Sequence, residues 1–179
     1  MDDPLLIREM TLADCDRVSE IRIRGWQSAY RGLMPQPFLD ALSVKEDAER
    51  RRARFGRGDG SVVDLVVERA GEILGWACHG PYRDGERRTE DAELYAVYVD
   101  ARRFGSGLGH ALLQESVRRC TQAGHPRMLL WVVEGNTRAR RFYERQGFAA
   151  DGAEEPYEVD GVPVPEVRYA KDLSLPVSL

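Results

Sequence analysis

The chain has 179 residues, with 26 Lys plus Arg against 30 Asp plus Glu, a formal net charge of −4, an apolar fraction of 42% and a charged fraction of 31%. That composition suits a soluble globular protein, and a chain of this length buries roughly 70% of its unfolded surface, as a rule within one domain, here 1–179. Net acidity argues against a dedicated nucleic-acid binder, and the longest apolar run, MLLWVV at 128–133, is too short to span a bilayer.

Leu5 to Met10 reads as a first strand, and Thr11 with Asp14 forms a capping-box-like helix start. Val18, Ile21, Gly25, Trp26, Ala29 and Leu33 then recur at helical spacing until Gly32 and the Pro35/Pro37 pair break the pattern. Ser43 with Glu46 opens a second helix that runs to about Phe55. GRGDGS at 56–61 is a turn, and SVVDLVVER and EILGWACHG form a hairpin about Ala70-Gly71. GPYRDGERRTED at 80–91 reads as a charged loop and AELYAVYV at 92–99 as a strand. A long helix is predicted from about Gly107 to Ala123, stopped by Gly124. MLLWVV is a buried strand, Asn136 or Thr137 caps a short helix ending at Gly147, and two more β segments lie near Phe148–Asp151 and Val164–Leu173. The order β-α-α-β-β-β-α-β-α-β-β implies a mixed α/β fold on a mostly antiparallel sheet, with one parallel crossover from 92–99 to 128–133.

Cys15, Cys78 and Cys120 are odd in number and form no CxxC pair, which suits small core residues in a reducing, cytoplasmic setting. His79, His110 and His125 show no metal-ligand spacing, so no metal is expected. Arg50, Arg51, Arg52 and Arg54 alternate with acids and read as a solvated helix face, not a nucleic-acid patch.

The strongest local signal is RRFGSGLGHALL at 102–113. Gly105, Gly107 and Gly109 alternate directly after a strand and directly before a helix. Such a turn lets successive N–H groups point at one anion, reinforced by the positive end of the helix. A P-loop would need GxxxxGK[ST] and a Rossmann turn GxGxxG early in a parallel sheet; the spacing here is GxGxG. One strand later, WVVEGNTRARRFYERQGF places Asn136 at a strand end, Phe142 and Tyr143 on a short helix, and Gly147-Phe148 at its exit. A buried phenol at Tyr143 needs a partner for its hydroxyl.

Together, FGSGLG and NTRARRFYERQGF resemble the acetyl-CoA pyrophosphate loop and the asparagine-to-GF segment of the GCN5-related N-acetyltransferase superfamily. IREMTLADCDRVSEI resembles the family's opening strand and helix, and WQSAYRGLMP with FLDAL resembles a bacterial subgroup with an extended first helix pair. The resemblance implies an acetyl-CoA-dependent acyltransferase that moves an acetyl group directly to a primary amine in a ternary complex, without metal and without a covalent enzyme intermediate; from the acidic charge and short apolar runs, no nucleic-acid or membrane partner is expected. The rival is a non-catalytic acyl-CoA-binding regulatory module on the same fold. By analogy with the family, a homodimer is an expectation.

Carried over residue by residue, the resemblance assigns backbone contacts with the pantetheine arm to Val97 and Val99 of a strand that splays from its neighbour. It assigns the pyrophosphate to Phe104, Gly105, Gly107, Gly109 and His110, with Asn136 also at the cofactor. The family pattern begins with Arg or Gln where this chain has Phe104, so a side-chain phosphate contact is lost there and the adjacent Arg103 is the candidate to replace it. Tyr143 takes the role of hydrogen-bond donor to the departing thiolate, and Glu93 that of general base, with Glu134 and His79 as further options. Trp26 and Tyr30, four apart on one helical face, are candidates to wall the acceptor pocket, together with the 80–91 segment, or else belong to the core.

Overall fold

A computed structural model describes residues 3–174. One seven-stranded sheet, ordered β1-β2-β3-β4-β5-β7-β6, organises the chain. Its strands are β1 (Leu6–Glu9), β2 (Val63–Arg69), β3 (Glu72–Asp84), β4 (Arg87–Val99), β5 (Arg127–Val133), β6 (Ala149–Val159) and β7 (Val162–Asp172). All neighbours pair antiparallel except β4 and β5. The expected mixed sheet and its single parallel crossover are therefore present.

Helices α1 (Cys15–Ala29), α2 (Gln36–Ala41) and α3 (Val44–Arg54) lie between β1 and β2. A 3-10 turn over Leu12–Asp14 carries the capping box at Thr11 and Asp14. The Ser43 side chain accepts from the Glu46 amide and so starts α3, as its sequence position predicts. α2 departs from the two-helix expectation. Pro35 and Pro37 break the helical pattern of α1 but do not exclude a helix of their own, because proline is well placed in a first helical turn, where its missing N–H is no loss.

Two further corrections concern hairpins. Residues 80–91 are not a loop: β3 and β4 pair through Asp84 and Arg87, and the chain reverses at Gly85, φ 60°. The tail strands are also longer than expected, because Asp160-Gly161 adopts the two positive φ values, 49° and 75°, of a tight hairpin. Pro156, Pro163 and Pro165 weaken the strand signal there. They are tolerated because β6 is an edge and because Pro165 meets the end of β5 only through its carbonyl, which accepts from the Glu134 amide at 2.9 Å and needs no proline N–H.

α4 (Leu108–Gln122) and α5 (Thr137–Arg145) follow β4 and β5. α4 buries Leu108, Leu112, Leu113, Ser116 and Cys120, a three-and-four spacing that seats it on the sheet. Leu65, Val67, Leu74 and Ala77 meet it there. On the other face α1 packs Cys15, Val18 and Ile21 against Val66, Trp76 and Cys78. All three cysteines are free and buried, as predicted for small core residues. No helix among the described residues is long and apolar enough to cross a membrane.

Candidate active site

The parallel contact of β4 with β5 lasts for two residue pairs, Ala92 with Met128 and Glu93 with Leu129. Beyond them β4 stays bonded to β3 as far as Val99, and β5 stays bonded to β7 as far as Val133. The strands part, which leaves the β5 side of Leu94–Val99 without a strand partner. Just past the end of β4 stands Asp100, a carboxylate only 7% exposed. It accepts from the Arg102 amide at 2.9 Å and from the guanidiniums of Arg102 at 2.7 Å and Arg17 at 2.5 Å. The Arg102 contact leads in holding this carboxyl well below the usual carboxylate range. Asp100 thus ties α1 and the sheet to the start of the glycine turn.

Gly105 and Gly107 adopt φ 79° and 81°, a region most L side chains avoid. Gly107 is the N-cap of α4, so the amides of the first helical turn have no intrahelical acceptor. Gly109 differs: its φ is ordinary, and an added Cβ would only touch the Phe142 ring at 3.5 Å. Asn136 caps α5 by accepting from the Ala139 amide at 3.2 Å. His110 Nδ1 lies 2.5 Å from Gln146 Oε1 and ties α4 to the far end of α5.

Between these parts lies a cavity of about 490 Å³. Its lining includes every residue predicted for the cofactor (Val97, Val99, Arg103, Phe104, Gly105, Gly107, Gly109, His110 and Asn136) together with Tyr143. Among the described residues no carboxylate contributes to it, whereas Arg103, Arg138 and Arg145 do, and the N-termini of α4 and α5 both open on it. A chain of net negative charge therefore carries a cavity whose described lining is cationic. A larger, shallow hollow at Arg87–Asp91 and Pro126–Arg127 holds mixed charges and none of these features.

Tyr143 packs edge-on against Phe142 and Phe148, with ring centroids at 5.3 and 6.0 Å. Burial, then the Tyr30 phenol, pushes its pKa well above the usual phenol value. Glu93 does not line the cavity. Its neighbours Ala92 and Leu94 belong to the core under α4, so its side chain stands on the opposite face of β4. Burial, with Glu155 and Glu166 next, pushes its carboxyl up to about 7. Glu166 is itself pushed up to about 7, by burial and then Glu155. Sequence reading missed Glu166, which reaches this face only through the Glu155↔Glu166 and Val133↔Glu166 pairings.

His79, a predicted alternative base, is 5% exposed, and its Nδ1 lies 3.0 Å from Ser116 Oγ on α4. Burial, then Arg119, pushes it down to about 4, so it is a neutral core residue on the face away from Glu93. Glu134 is exposed at the end of β5. Trp26 and Tyr30 form an edge-to-face pair at 5.0 Å and pack on a cluster of Met34, Leu39, Val133, Val159 and Val164. Neither lines the cavity. The Tyr30 hydroxyl nevertheless lies 3.3 Å from that of Tyr98, which does. Gly25 makes room for the Tyr98 ring, since an added Cβ would sit 2.7 Å from its Cδ1.

These features match known proteins. Residues 24–148 match the family model of the acetyltransferase (GNAT) family. YuaI of Bacillus subtilis (strain 168), an uncharacterized N-acetyltransferase, is 31% identical over 162 residues, covering 90% of this chain and 89% of its own. In fold, the chain is similar to the PaiA N-acetyltransferase of Thermoplasma acidophilum solved with coenzyme A, at TM-score 0.73, 17% identity, and coverage of 94% and 99% of the two chains. It is similar also to yncA of Salmonella typhimurium, solved with acetyl-CoA as cofactor, at TM-score 0.70, 23% identity, and coverage of 97% and 96%. By its parted strands, its glycine turn and a match that spans most of its length, the chain belongs to the GNAT family of acetyltransferases.

Proposed function

We propose that this acetyltransferase moves the acetyl group of acetyl-CoA directly to a primary amine while both substrates are bound. The observation that carries the reading is the placing of a phenol and a carboxylate of opposite use about one gap. Tyr143 lines the cofactor cavity beside the parted strands, and Glu93 marks where they part, on the other face. The cavity's arginines, helix ends and lack of carboxylates fit the phosphates of the donor. Acetyl-CoA supplies an activated thioester.

The residues then have separate tasks. The main chain of Val97 and Val99, unpaired toward β5, aligns the pantetheine arm. The turn from Arg103 to His110, with Asn136, holds the phosphate end. An ordinary alkylamine has a pKa of about 10.4 and is under ~0.1% neutral at pH 7. Glu93 takes a proton from the ammonium, and the neutral nitrogen then attacks the carbonyl carbon. The C–N bond forms, the C–S bond breaks with its electron pair on sulfur, the second proton shed by the nitrogen passes to the thiolate or to water, and Tyr143 donates a hydrogen bond to that sulfur. Trp26 and Tyr30 shape the acceptor side, Tyr30 through Tyr98.

A thiol-release assay with acetyl-CoA and a panel of amines tests the reading. One class of amine should release free CoA in step with acetylated product. Tight acetyl-CoA binding with no release from any amine would leave a binding module instead.

The glycine turn has its own test. Left-handed backbone costs a side-chain-bearing residue roughly 1–2 kcal/mol. Gly107→Val should therefore weaken acetyl-CoA binding about tenfold in calorimetry, whereas Gly109→Ala meets only an ordinary contact inside the protein. An unchanged Kd in Gly107→Val would remove the turn from the cofactor site.

A further inference from the structure

The turn lacks a cationic side chain at position 104, and the structure shows what stands there instead. Phe104 is 43% exposed at the edge of the cavity. The guanidinium carbon of Arg138 lies 3.9 Å from the centroid of its ring, well inside cation–π range. Arg138 comes from the first turn of α5, and that turn carries no acidic residue. A cation at this end of a helix opposes the helix dipole. Among the described residues Arg138 makes no ion pair and no hydrogen bond, only the ring contact. Arg138 is exposed, and a guanidinium at a helix N-terminus that pairs with no carboxylate and lines an acid-free cavity opposes the helix dipole there and gains from an incoming anion.

The other lining arginines differ in one respect. The side chains of Arg103 and Arg145 have no hydrogen bond, ion pair or ring contact among the described residues. Holding a free arginine in one geometry costs side-chain entropy. Arg138 has lost part of that freedom before any ligand binds, because the Phe104 ring holds it.

We propose that Arg138 is the side chain that grips the phosphates of coenzyme A in this protein, and that Phe104 is a positioning residue that pins its guanidinium at the cavity. The inference rests on the reading that the cavity takes acetyl-CoA. Phe104 is then a substitute of a different kind for a direct phosphate ligand: it presents the charge from α5 instead of carrying it.

Calorimetry with acetyl-CoA, 3′-dephospho-acetyl-CoA and the phosphate-free donor S-acetylpantetheine tests it. A charge-assisted hydrogen bond lost from such a site corresponds to about 10- to 100-fold in Kd. Arg138→Gln should weaken acetyl-CoA by about that factor and leave S-acetylpantetheine binding unchanged. Phe104→Leu should cost several-fold, and the double variant should bind no worse than Arg138→Gln, because Phe104 acts through Arg138. Phe104→Arg in the Arg138→Gln background should restore much of the affinity. If the loss disappears with the dephospho donor, the contact is with the 3′-phosphate; if it persists, with the pyrophosphate. Equal losses for the phosphate-free donor, additive effects of the two variants, or a larger loss in Arg103→Gln would each overturn the assignment. Wild-type protein that fails to bind acetyl-CoA at all would instead overturn the reading of the cavity itself, so the two failures are distinct. Far-UV circular dichroism and Tm check that each variant folds.

Discussion

Tyr143→Phe should lower kcat by about 100-fold or more, a typical cost for losing one donor aimed at developing charge, while acetyl-CoA binding changes by less than about twofold. The substitution deletes one oxygen and keeps the ring in its packing between Phe142 and Phe148, so the fold has little to lose. What the hydroxyl does can be narrowed by its acidity. An unperturbed phenol at about 10 against a thiol at about 8.5 makes full proton transfer uphill by roughly 2 kcal/mol. Burial raises the Tyr143 phenol further, so in the free enzyme transfer is less favourable still. In the proposed mechanism Tyr143 therefore donates a hydrogen bond to the sulfur as charge builds there and does not cede its proton before the C–S bond breaks. Two consequences separate this from general-acid catalysis by an easily ionised group. The phenol stays neutral through the working pH range, so no limb of the pH–rate profile should vanish in Tyr143→Phe. The defect should also shrink with donors whose leaving thiol is more acidic, because such a thiolate needs less stabilisation. Wild-type turnover in Tyr143→Phe would remove the residue from the mechanism.

The parts of this site that are local in sequence were legible in it. Alternating glycines before a helix, Asn136 as a cap and Ser43 with Glu46 each depend on residues within one turn of one another, and each appears where the pattern puts it. The crossover between 92–99 and 128–133 was legible because a long amphipathic helix separates two strands. Hairpins in charged or proline-bearing sequence were not. At 80–91 the strand pattern is masked by charge on both exposed faces, and at 156–165 by prolines that only an edge tolerates. Electrostatics was the least legible layer. A net of −4 is a sum, whereas the cavity collects three arginines and no acid, and Glu93 meets Glu155 and Glu166 only through strands paired far along the chain. The stacking of Arg138 on Phe104 is of the same kind: the two residues are 34 positions apart by number (138 against 104), and only the fold brings them to one cavity edge.

Glu93→Gln should reduce kcat/KM for an alkylamine by about 100-fold at pH 8 and change the form of its pH dependence. If Glu93 is the base, as proposed, its carboxylate is the active form in the wild type. With its carboxyl at about 7, kcat/KM should climb about tenfold per pH unit below 7, level off above it, and hold until the acceptor's own pKa near about 10.4. Without a base, only the minor neutral amine reacts, so in Glu93→Gln the rate should climb steadily to the acceptor's pKa and shift with it when a less basic amine is used. A wild-type profile that lacks the plateau and follows the acceptor would exclude Glu93 as base. Glu166 titrates in the same range and couples to it, so the limb belongs to the cluster until variants divide it. Glu166→Gln removes a like charge and should move the limb to lower pH while keeping the plateau; loss of the limb in Glu166→Gln but not in Glu93→Gln would transfer the role to Glu166. Stability supplies the control. A carboxyl raised from 4.5 to about 7 in the folded protein favours the unfolded chain as pH rises through that window, because the unfolded state ionises first. Glu93→Gln lacks that penalty, so its Tm at pH 8 should equal or exceed that of the wild type. A variant that is slow and at least as stable has lost a proton acceptor, not its fold.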